Sequence, residues 1–497
     1  MLFNSYQFMF AFLPVTLALF FLLGRFAARD IAIGFLALAS VFFYAWWNWV
    51  YILLILAEVV FSFLVGRQLE RTDLNDRQRK LILTGTIALI LVVLGYFKYT
   101  NFFLGVVNDL GGTELGPWHI ILPLGISFHT FQQIAYLVDA YRRSAKHYRL
   151  IDFCLFVTFF PQLIAGPIVH HNEAIPQIRC PGFLTPRGIN LLVGVSLFGL
   201  GLFKKTIIAD TLAQIANPAF NAAYGGAHLT LVEAWMGALA YSLQLYFDFS
   251  GYSDMAIGLA RMFNIRFPAN FHSPYKAVNI ADFWRRWHMT LSRFLRDYLY
   301  IPMGGNRRGP ARQVTNLFLT MLLGGLWHGA GWTFVIWGAL HGIFLAVQRL
   351  WSGFSASRGF TLPRWLGWLI TMLCVMAAWV YFRAPDVTTA HSVLASLVGG
   401  HGFGLKTPNL PDLPLEGWPV ILIAGLVAAL APNSTEIFRR YAPTLKLVTL
   451  AKRRLGRFER RLEWRPVTAW AAIAGLVATA GAVAILGWQS EFLYFQF

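Results

Sequence analysis

The architecture of this chain can be inferred from the part that lies between two segments, Asp282-Phe283-Trp284-Arg285-Arg286-Trp287-His288 and Gly324-Gly325-Leu326-Trp327-His328-Gly329. The first segment predicts an amphipathic helix that continues to about residue 297. On this helix Trp284, Leu291 and Leu295 share one face, and His288 lies on the same apolar face. The second segment ends a run, from Asn316 to Trp327, that has no charged side chain. We therefore predict that this run is buried in a membrane and that His328 at its end is functional.

The composition predicts a polytopic membrane protein. Of 497 residues, 57% are hydrophobic and 13% are charged, whereas a soluble domain carries about 25% charged residues. Apolar runs of roughly 16 to 22 residues recur along the chain, a length that matches the hydrocarbon core of a bilayer. The net charge is +18, but the basic residues cluster in short loops between these runs, where they orient the protein. The charge therefore does not predict nucleic-acid binding.

Metal ligands are not grouped in this sequence. The cysteines Cys154, Cys180 and Cys374 are far apart and form neither a CxxC motif nor a zinc-type cluster. His170-His171 is a pair of ligand-type residues without an evident third ligand. We therefore predict isolated thiols, no metal site and no bound cofactor.

The first half of the chain predicts helices that alternate in direction. Apolar runs occupy residues 7–24, 31–47, 51–66, 81–97 and 119–139, and the basic loops are 25–29, 67–80 and 142–149. Loops rich in Lys and Arg stay in the cytoplasm, so the N-terminus is predicted to lie outside. Run 150–166 is then expected to go out, and run 190–203 is expected to return to Lys204-Lys205 in the cytoplasm.

The second half predicts interrupted helices followed by further spans. Run 231–247 is apolar enough to span, but residues 250–300 mix charged and apolar residues, so we expect broken or re-entrant helices there. Spans are expected at 312–328, 331–350, 365–382, 417–430 and 467–487, with a long neutral loop at 383–416. Residues 439–465 hold ten Lys or Arg and predict a cytoplasmic loop on anionic lipid, with Phe497 outside.

His328 and His288 are the candidate catalytic residues. A histidine inside an apolar bundle must have its ring nitrogens satisfied, since burying an unpaired polar group is costly. Gly324, Gly325 and Gly329 leave room around His328 for a substrate, although helix packing would use them equally. His288 is equally consistent with a structural role on the buried face of its helix.

The spacing to the basic loop predicts that the two histidines lie at different depths. Sixteen residues separate Arg312 from His328, which corresponds to about 24 Å of helix. We therefore expect His328 deep in the membrane or near its outer side, and His288 near the cytoplasmic face. A donor could then enter from one face and an acceptor from the other.

Several further residues are expected to bind substrate or to support the histidines. Asp248 and Asp254 need cationic partners in their apolar surroundings, and Arg261, Arg285 and Arg286 are the candidates; a purely structural ion pair is the alternative. His341 is either close to the site or simply packed, and His129 is a weaker candidate of the same kind. The full set that we predict is Trp284, Arg285, Trp287, Asp248, Asp254, Asn316, Trp327 and His341.

Five motifs in order resemble the membrane-bound O-acyltransferase family. They are Asp248-Phe249-Ser250-Gly251-Tyr252-Ser253-Asp254, the Trp284–His288 run, Arg296-Asp297-Tyr298-Leu299-Tyr300-Ile301-Pro302, Gly304-Gly305-Asn306-Arg307 and the Gly324–Gly329 run. The resemblance is closest to the bacterial branch that includes the membrane subunit of alginate O-acetylation. It implies an all-α polytopic membrane protein, a multi-helix bundle with broken or re-entrant helices around a central tunnel. A single domain would cover residues 1–497, with the motif-bearing core at about 120–345 and peripheral helices at 1–115 and 363–497.

The resemblance also implies a reaction and its partners. An acetyl group would pass from acetyl-CoA or an acyl-carrier thioester in the cytoplasm, across a bacterial inner membrane, to an extracellular or periplasmic polysaccharide. His328 would be the general base, and His288 would orient the thioester. Besides the bilayer, the expected partner is a periplasmic protein of the SGNH-hydrolase type that receives the acetyl group.

Two other functions are consistent with parts of the sequence. A transporter or flippase would also contain broken helices with buried charges, but the sequence has no matching pair of interrupted halves. D-alanyl transfer onto teichoic acid is the nearest alternative within the enzyme class. Two other acyltransferase signatures do not apply. His147 and Asp152 fit the HxxxxD spacing by chance, and no G-x-S-x-G motif is present, so a serine acyl-enzyme is not expected.

Overall fold

Helices form wherever the sequence carries a long apolar run. The computed structural model describes residues 1–145, 147–404, 417–445, 462–484 and 492–493, and no β-strand occurs among them. The first group of helices is α1 (Gln7–Phe26), α2 (Arg29–Ala45), α3 (Tyr51–Leu69), α4 (Asp76–Gly111), α5 (Ile126–Tyr141), α6 (Leu150–Thr158), α7 (Phe160–Leu163) and α8 (His171–Arg179). The second group is α9 (Gly188–Tyr224), α10 (Leu231–Met262), α11 (Ile280–Trp284), α12 (Met289–Leu295), α13 (Gly309–His328), α14 (Trp332–Arg358), α15 (Arg364–Arg383), α16 (Val387–Leu397), α17 (Gly417–Leu430), α18 (Ser434–Ile437) and α19 (Thr468–Ala484).

The surface of this bundle is apolar, as a lipid-facing surface must be. Six of the described helices are long and apolar enough to cross a membrane, namely α1, α3, α4, α9, α14 and α15. Leu53, Val92 and Leu350 on these helices are 73%, 66% and 63% exposed, far more than large aliphatic side chains tolerate in water. The prediction of an all-α multi-pass membrane protein is confirmed.

Helix α4 is longer than its apolar run because both of its ends are capped. Asn75 and Gln78 form a capping box at the start, and Gly112, with φ of 61°, ends the helix. Residues 101–111, which we expected in a loop, are therefore helical. The following helix α5 begins only at Ile126, after an extended segment, and not at residue 119.

The segment 150–170 enters the bundle and returns to the side from which it came. Helix α6 has nine residues, so it is about 14 Å long and too short to cross a core of about 30 Å. The two ends of the segment meet: the Tyr148 hydroxyl lies 2.8 Å from His171 Nδ1, and Arg179 donates to Asp152 at 2.9 Å. The predicted outward span at 150–166 is wrong, and a re-entrant segment takes its place.

The lysine pair Lys204-Lys205 lies inside the bundle and not in a cytoplasmic loop. Helix α9 continues past both residues to Tyr224. The Lys204 ammonium is 2.6 Å from the carboxylate of Asp254, and the Lys205 ammonium is 2.8 Å from that of Asp248. Our prediction that the span at 190–203 ends in the cytoplasm at these lysines is wrong, because carboxylates of α10 compensate their charge within the protein.

Helices α9 and α10 approach each other through glycines. A Cβ atom on Gly258 would lie 2.6 Å from the carbonyl oxygen of Gly194, and one on Gly251 would lie 2.7 Å from that of Gly201. A larger residue at any of these positions would push the helices apart, which is the role of small residues in membrane helix pairs.

The interruptions predicted for residues 250–300 begin later than expected. Helix α10 continues to Met262, because Asp254 is paired with Lys204 and Arg261 donates to the carbonyl of Tyr441. The short helices α11 and α12 follow a largely non-helical stretch from Asn264 to Asn279. The amphipathic helix predicted through residue 297 is broken at His288, whose φ of 39° lies in the left-handed region.

The C-terminal quarter is described only in part. Helix α16 occupies the first part of the range 383–416 that we expected to be a loop. Residues 405–416, most of the basic range 439–465, and Phe497 lie outside the described residues. The predictions for that basic loop and for the C-terminus therefore stay predictions.

Cys180 tests the re-entrant path of residues 150–170. Arg29, which follows α1, donates to the carbonyl groups of Ile178 and Cys180, so Cys180 lies on the same side as the basic loop at 25–29. Cys180 is exposed, whereas Cys154 and Cys374 are partly buried. We expect a membrane-impermeant maleimide to label Cys180 in inside-out vesicles and not in intact cells or spheroplasts. A Cys180→Ser variant is the control, and labelling of Cys180 from outside would restore the original crossing order.

Candidate functional site

Helix α13 ends at His328 in the interior of the protein. Its C-terminal half packs closely on α14, where a Cβ on Gly338 would lie 2.6 Å from the carbonyl oxygen of Met321. The His328 ring is 6% exposed and makes edge contacts with Trp337 and Phe382 at centroid distances of 5.0 and 5.3 Å. It lines a cavity of about 500 Å³, which we call the outer cavity; the other lining residues include Trp46, Trp47, Lys98, Phe128 and Trp327.

His288 is held at the break between α11 and α12. Its Nδ1 lies 3.1 Å from Oδ1 of Asn270, an oxygen that also accepts the hydroxyl of Thr290 at 2.8 Å. Because an amide oxygen only accepts hydrogen bonds, Nδ1 of His288 must carry the proton. In the neutral ring Nε2 is then the basic nitrogen.

The two histidines lie next to each other. The centroids of the His288 and His328 rings are 6.5 Å apart, and both rings neighbour Trp327. The expected separation across the membrane is therefore wrong. That expectation placed His288 near the cytoplasmic face because its helix carries Arg285, Arg286, Arg293 and Arg296. The left-handed turn at His288 instead redirects the chain toward the end of α13.

His341 belongs to the same group of rings. Its Nδ1 accepts a hydrogen bond from the Trp284 indole at 3.3 Å, and its ring centroid lies 4.7 Å from that of Trp337. Its Nε2 is buried without a hydrogen-bond partner among the described residues. Such buried polar atoms mark places where a substrate group or an ordered water completes the structure.

Other predicted site residues support the surroundings or lie elsewhere. Trp327 makes an edge contact with His328 at a centroid distance of 4.8 Å, and Trp287 packs on Phe283 and Trp379. Arg285 is on the surface, with 66% of its side chain exposed. Asn316 donates to the carbonyl of Gly305 and fastens the glycine-rich loop to α13.

The partners predicted for the two aspartates are wrong. Asp248 and Asp254 pair with Lys205 and Lys204 and not with Arg261, Arg285 or Arg286. Asp248 also accepts the backbone N–H of Leu493 at 3.1 Å. These carboxylates therefore join α9, α10 and the C-terminal segment, as the structural alternative proposed.

Two residues of the site, Asn270 and Lys98, escaped the sequence analysis. Asn270 gave no signal, because a single asparagine in a loop has many roles. Lys98 and Tyr99 donate to the last carbonyl groups of α13. A signal for Lys98 was present: it is the only Lys or Arg between Leu81 and Tyr141, at the end of the run predicted to face outward.

A second cavity, of about 800 Å³, lies beside the re-entrant segment, and we call it the inner cavity. Its lining includes Arg142, which is exposed, together with His170, Tyr298 and the ion pair between Glu173 and Arg293. Burial, together with the Arg293 cation, lowers the pKa of His170 to about 4, so its ring is neutral at about pH 7. Arg142 is thus the cation that this cavity offers to an anionic ligand.

A column of aromatic rings connects the two cavities, which share no lining residue. From Tyr298 the column passes through Phe294, Phe131 and Trp327 to His328, in steps of 5.0, 4.1, 4.9 and 4.8 Å between ring centroids. Rings at these distances are in van der Waals contact. The expected central tunnel is therefore represented here by two cavities with a closed aromatic column between them.

The histidines that flank the re-entrant segment do not form a metal site. His171 contacts Asp139 at 3.0 Å and Tyr148 at 2.8 Å, and His170 contacts the Tyr298 hydroxyl at 3.2 Å. In the part of the chain that the structure describes, no group of three His, Cys, Asp or Glu side chains is arranged to hold a metal ion. His147 and Asp152 have separate partners, Glu70 and Arg179, and do not form a joint site.

Known proteins that resemble this chain are membrane acyltransferases. The sequence model of the membrane-bound O-acyltransferase family matches residues 126–384. The peptidoglycan O-acetyltransferase of Helicobacter pylori is 46% identical over 433 residues, 82% of this chain and 81% of that protein. The probable alginate O-acetylase of Pseudomonas aeruginosa is 45% identical over 437 residues, 86% of this chain and 81% of that protein. The teichoic acid D-alanyltransferase of Streptococcus thermophilus is 29% identical over 240 residues, 46% of this chain and 57% of that protein.

The ion pair between Lys205 and Asp248 is buried, and substitutions test how much more stability is lost when a buried pair is broken than when an exposed one is. Lys205→Met leaves the Asp248 carboxylate, which is 1% exposed, without its cation, and we expect a loss of about 3–5 kcal/mol in stability. The matched control is Arg285→Met at the exposed pair with Asp282, for which we expect about 0–1 kcal/mol. Thermal unfolding in detergent measures both, and equal losses would contradict the assignment.

Asn270 tests the hydrogen bond that orients His288. Asn270→Leu leaves the buried Nδ1–H of His288 without this acceptor, and we expect a loss of about 1–3 kcal/mol together with loss of activity. Thr290→Val removes another donor to the same oxygen and also the hydroxyl that accepts the backbone N–H of Ile168 at 3.0 Å, but it leaves the His288 bond in place. It should therefore lose stability and still keep the wild-type tautomer of His288. Ring-nitrogen chemical shifts of His288 in labelled protein report the tautomer directly. A His288 tautomer that is the same in Asn270→Leu as in the wild type would contradict this role.

Proposed function

Because this chain belongs to the membrane-bound O-acyltransferase family, we propose that it transfers acetyl groups from a cytoplasmic thioester to a polysaccharide outside a bacterial inner membrane. Two relatives that match more than four-fifths of the chain are named as peptidoglycan and alginate acetylating proteins. The observation that carries the proposal is the adjacency of His328 and His288 beside the outer cavity. The same family membership argues against a transporter or flippase.

His328 is the general base in this proposal. It takes the proton of the acceptor hydroxyl while the oxygen bonds to the carbonyl carbon of the thioester. The carbon–sulfur bond then breaks, and the proton passes from the imidazolium to the leaving thiolate. General-base catalysis of this kind contributes about 10²- to 10⁴-fold in rate. His288, held by Asn270, orients the thioester at the adjoining position.

The inner cavity is the entrance for the donor. Acetyl-CoA and acyl-carrier thioesters both carry phosphate on the arm that ends in the thioester. Arg142 at the rim of the cavity supplies the cation for such a phosphate, while the neighbouring Arg293 is occupied by Glu173 at 2.6 Å. The arm then follows the aromatic column, whose rings must turn aside for it to reach His328.

The outer cavity is the acceptor site. Its volume of about 500 Å³ is in the range of small-molecule sites. This size supports a relay, in which a periplasmic partner of the SGNH-hydrolase type presents one hydroxyl and later passes the acetyl group to the polysaccharide.

Acetyl transfer is favoured over D-alanyl transfer by the extent of the similarity. The acetylating relatives match 82% and 86% of the chain, whereas the D-alanyltransferase matches 46% of it at 29% identity. A direct comparison of acetyl and D-alanyl thioesters with the purified chain distinguishes the two donors.

The paired histidines provide the test of this function. In nanodiscs supplied with acetyl-CoA or an acetylated carrier, we expect His328→Ala to lower acetyl transfer at least about 100-fold, because a transition-state interaction is lost. Since His288 adjoins His328, we expect His288→Ala to impair transfer as well, with donor binding similar in both variants. Radiolabel transfer and donor titration measure the two quantities.

His391, an exposed histidine on α16, supplies the matched control. His391→Ala should transfer acetyl groups at the wild-type rate. More than about a tenth of wild-type transfer in His328→Ala would contradict its role as the base. Failure of the wild-type chain to use any acetyl thioester, with D-alanyl transfer intact, would replace the proposed reaction by its nearest alternative.

A further inference from the structure

Lys98 brings a positive charge to the end of the helix that carries His328. Its ammonium donates to the carbonyl oxygen of Trp327 at 2.5 Å and to that of His328 at 3.0 Å. It also lies 5.8 Å from the centroid of the Trp327 ring. Lys98 therefore occupies one defined position and lines the outer cavity together with His328.

No carboxylate compensates this charge among the described residues. The lining of the outer cavity contains neither Asp nor Glu, and none of the ion pairs of the described chain involves Lys98. By contrast, Lys204 and Lys205 each have an aspartate partner within 2.8 Å. An uncompensated ammonium within a membrane protein is expensive, so it indicates a function.

Capping the helix does not by itself require a charge. Tyr99, the next residue, satisfies the carbonyl of Leu326 at 2.7 Å with a neutral hydroxyl. A cation does interact favourably with a helix C-terminus, but typically by less than burying it costs. Capping of α13 therefore does not explain why a charged side chain lies at the cavity.

We propose that Lys98 is a further catalytic residue, an anchored cation that stabilises the negative oxygen formed when a hydroxyl attacks the thioester beside His328. This inference rests on the proposed acetyl transfer. An ammonium has three N–H donors, and two of them are used on the carbonyls of Trp327 and His328. The third is available to the carbonyl oxygen of the acetyl group as its double-bond electrons move onto oxygen. When the carbon–sulfur bond breaks, those electrons return and the interaction weakens again.

Anchoring is what makes such a donor effective. A group that is already oriented needs no reorganisation as charge develops, and removal of one oriented donor typically lowers the rate about 10²- to 10³-fold. Here the two carbonyls and the Trp327 ring orient the ammonium before substrate binds.

The test compares charge with capping at the same helix end. Lys98→Met removes both the charge and the hydrogen bonds, Lys98→Gln keeps neutral N–H donors, and Lys98→Arg keeps the cation. Tyr99→Phe, the matched control, removes only a neutral cap. Each variant is measured in nanodiscs for acetyl transfer, donor binding and thermal unfolding.

We expect Lys98→Met and Lys98→Gln to lose about 100- to 1000-fold in transfer rate with donor binding unchanged. Lys98→Arg should retain at least about tenfold more than either, and Tyr99→Phe should lose transfer only in proportion to its loss of thermal stability.

The outcomes separate this inference from the function on which it rests. Transfer in Lys98→Gln above about a tenth of the wild-type rate, while the wild type is active, overturns the inference and leaves the proposed function in place. Equal losses in Lys98→Gln and Tyr99→Phe, in proportion to their loss of thermal stability, assign Lys98 to capping and also overturn it. A wild-type chain that transfers no acyl group overturns both. If Lys98→Met does not accumulate, the comparison of Lys98→Gln with Lys98→Arg decides.

Discussion

The carbonyl groups at the end of α13 impose the constraint on which the candidate site depends. A helix leaves its last carbonyls without intrahelical partners, and the interior of a membrane protein offers no bulk water to satisfy them. Lys98 and Tyr99 of α4 supply the donors. This contact fixes the end of α13 against α4, so that His328 lines the outer cavity while its ring also packs on Trp337 and Phe382.

The same constraint explains the unusual features around it. His288 adopts a left-handed conformation, and the amide of Asn270 accepts its ring N–H and also bonds Thr290. Lys204 and Lys205 stay inside the bundle because aspartates of α10 compensate them. In each case a polar group that the membrane would exclude is retained through a partner from another part of the chain, and these contacts hold the segments in register.

The aromatic column determines how the two cavities are separated. It separates an inner cavity with an exposed cation from an outer cavity next to the histidines. In the proposed reaction these rings exclude water, which protects the thioester from hydrolysis and strengthens electrostatic interactions at the reacting atoms. Rings can also rotate, so the column can open for a flexible arm without disturbing the backbone hydrogen bonds of the helices that carry it.

Hydrophobicity, charge and motif order were enough to predict the helical class, the multi-pass character and the family, and they identified His288 and His328 as candidates. These features depend on local composition and on short patterns, which a sequence contains in full. Only the tertiary structure decided the re-entrant path of residues 150–170, the left-handed turn at His288, the partners of Lys204 and Lys205, and the adjacency of His288 and His328. Each of these depends on side chains far apart in the chain that satisfy one another's charge or hydrogen bonds. Periodicity within one helix carries no information about a partner on another, and that is why Asn270 could be identified only from the assembled structure. The isolated Lys98 gave a signal in the sequence, but its partners at the end of α13 did not.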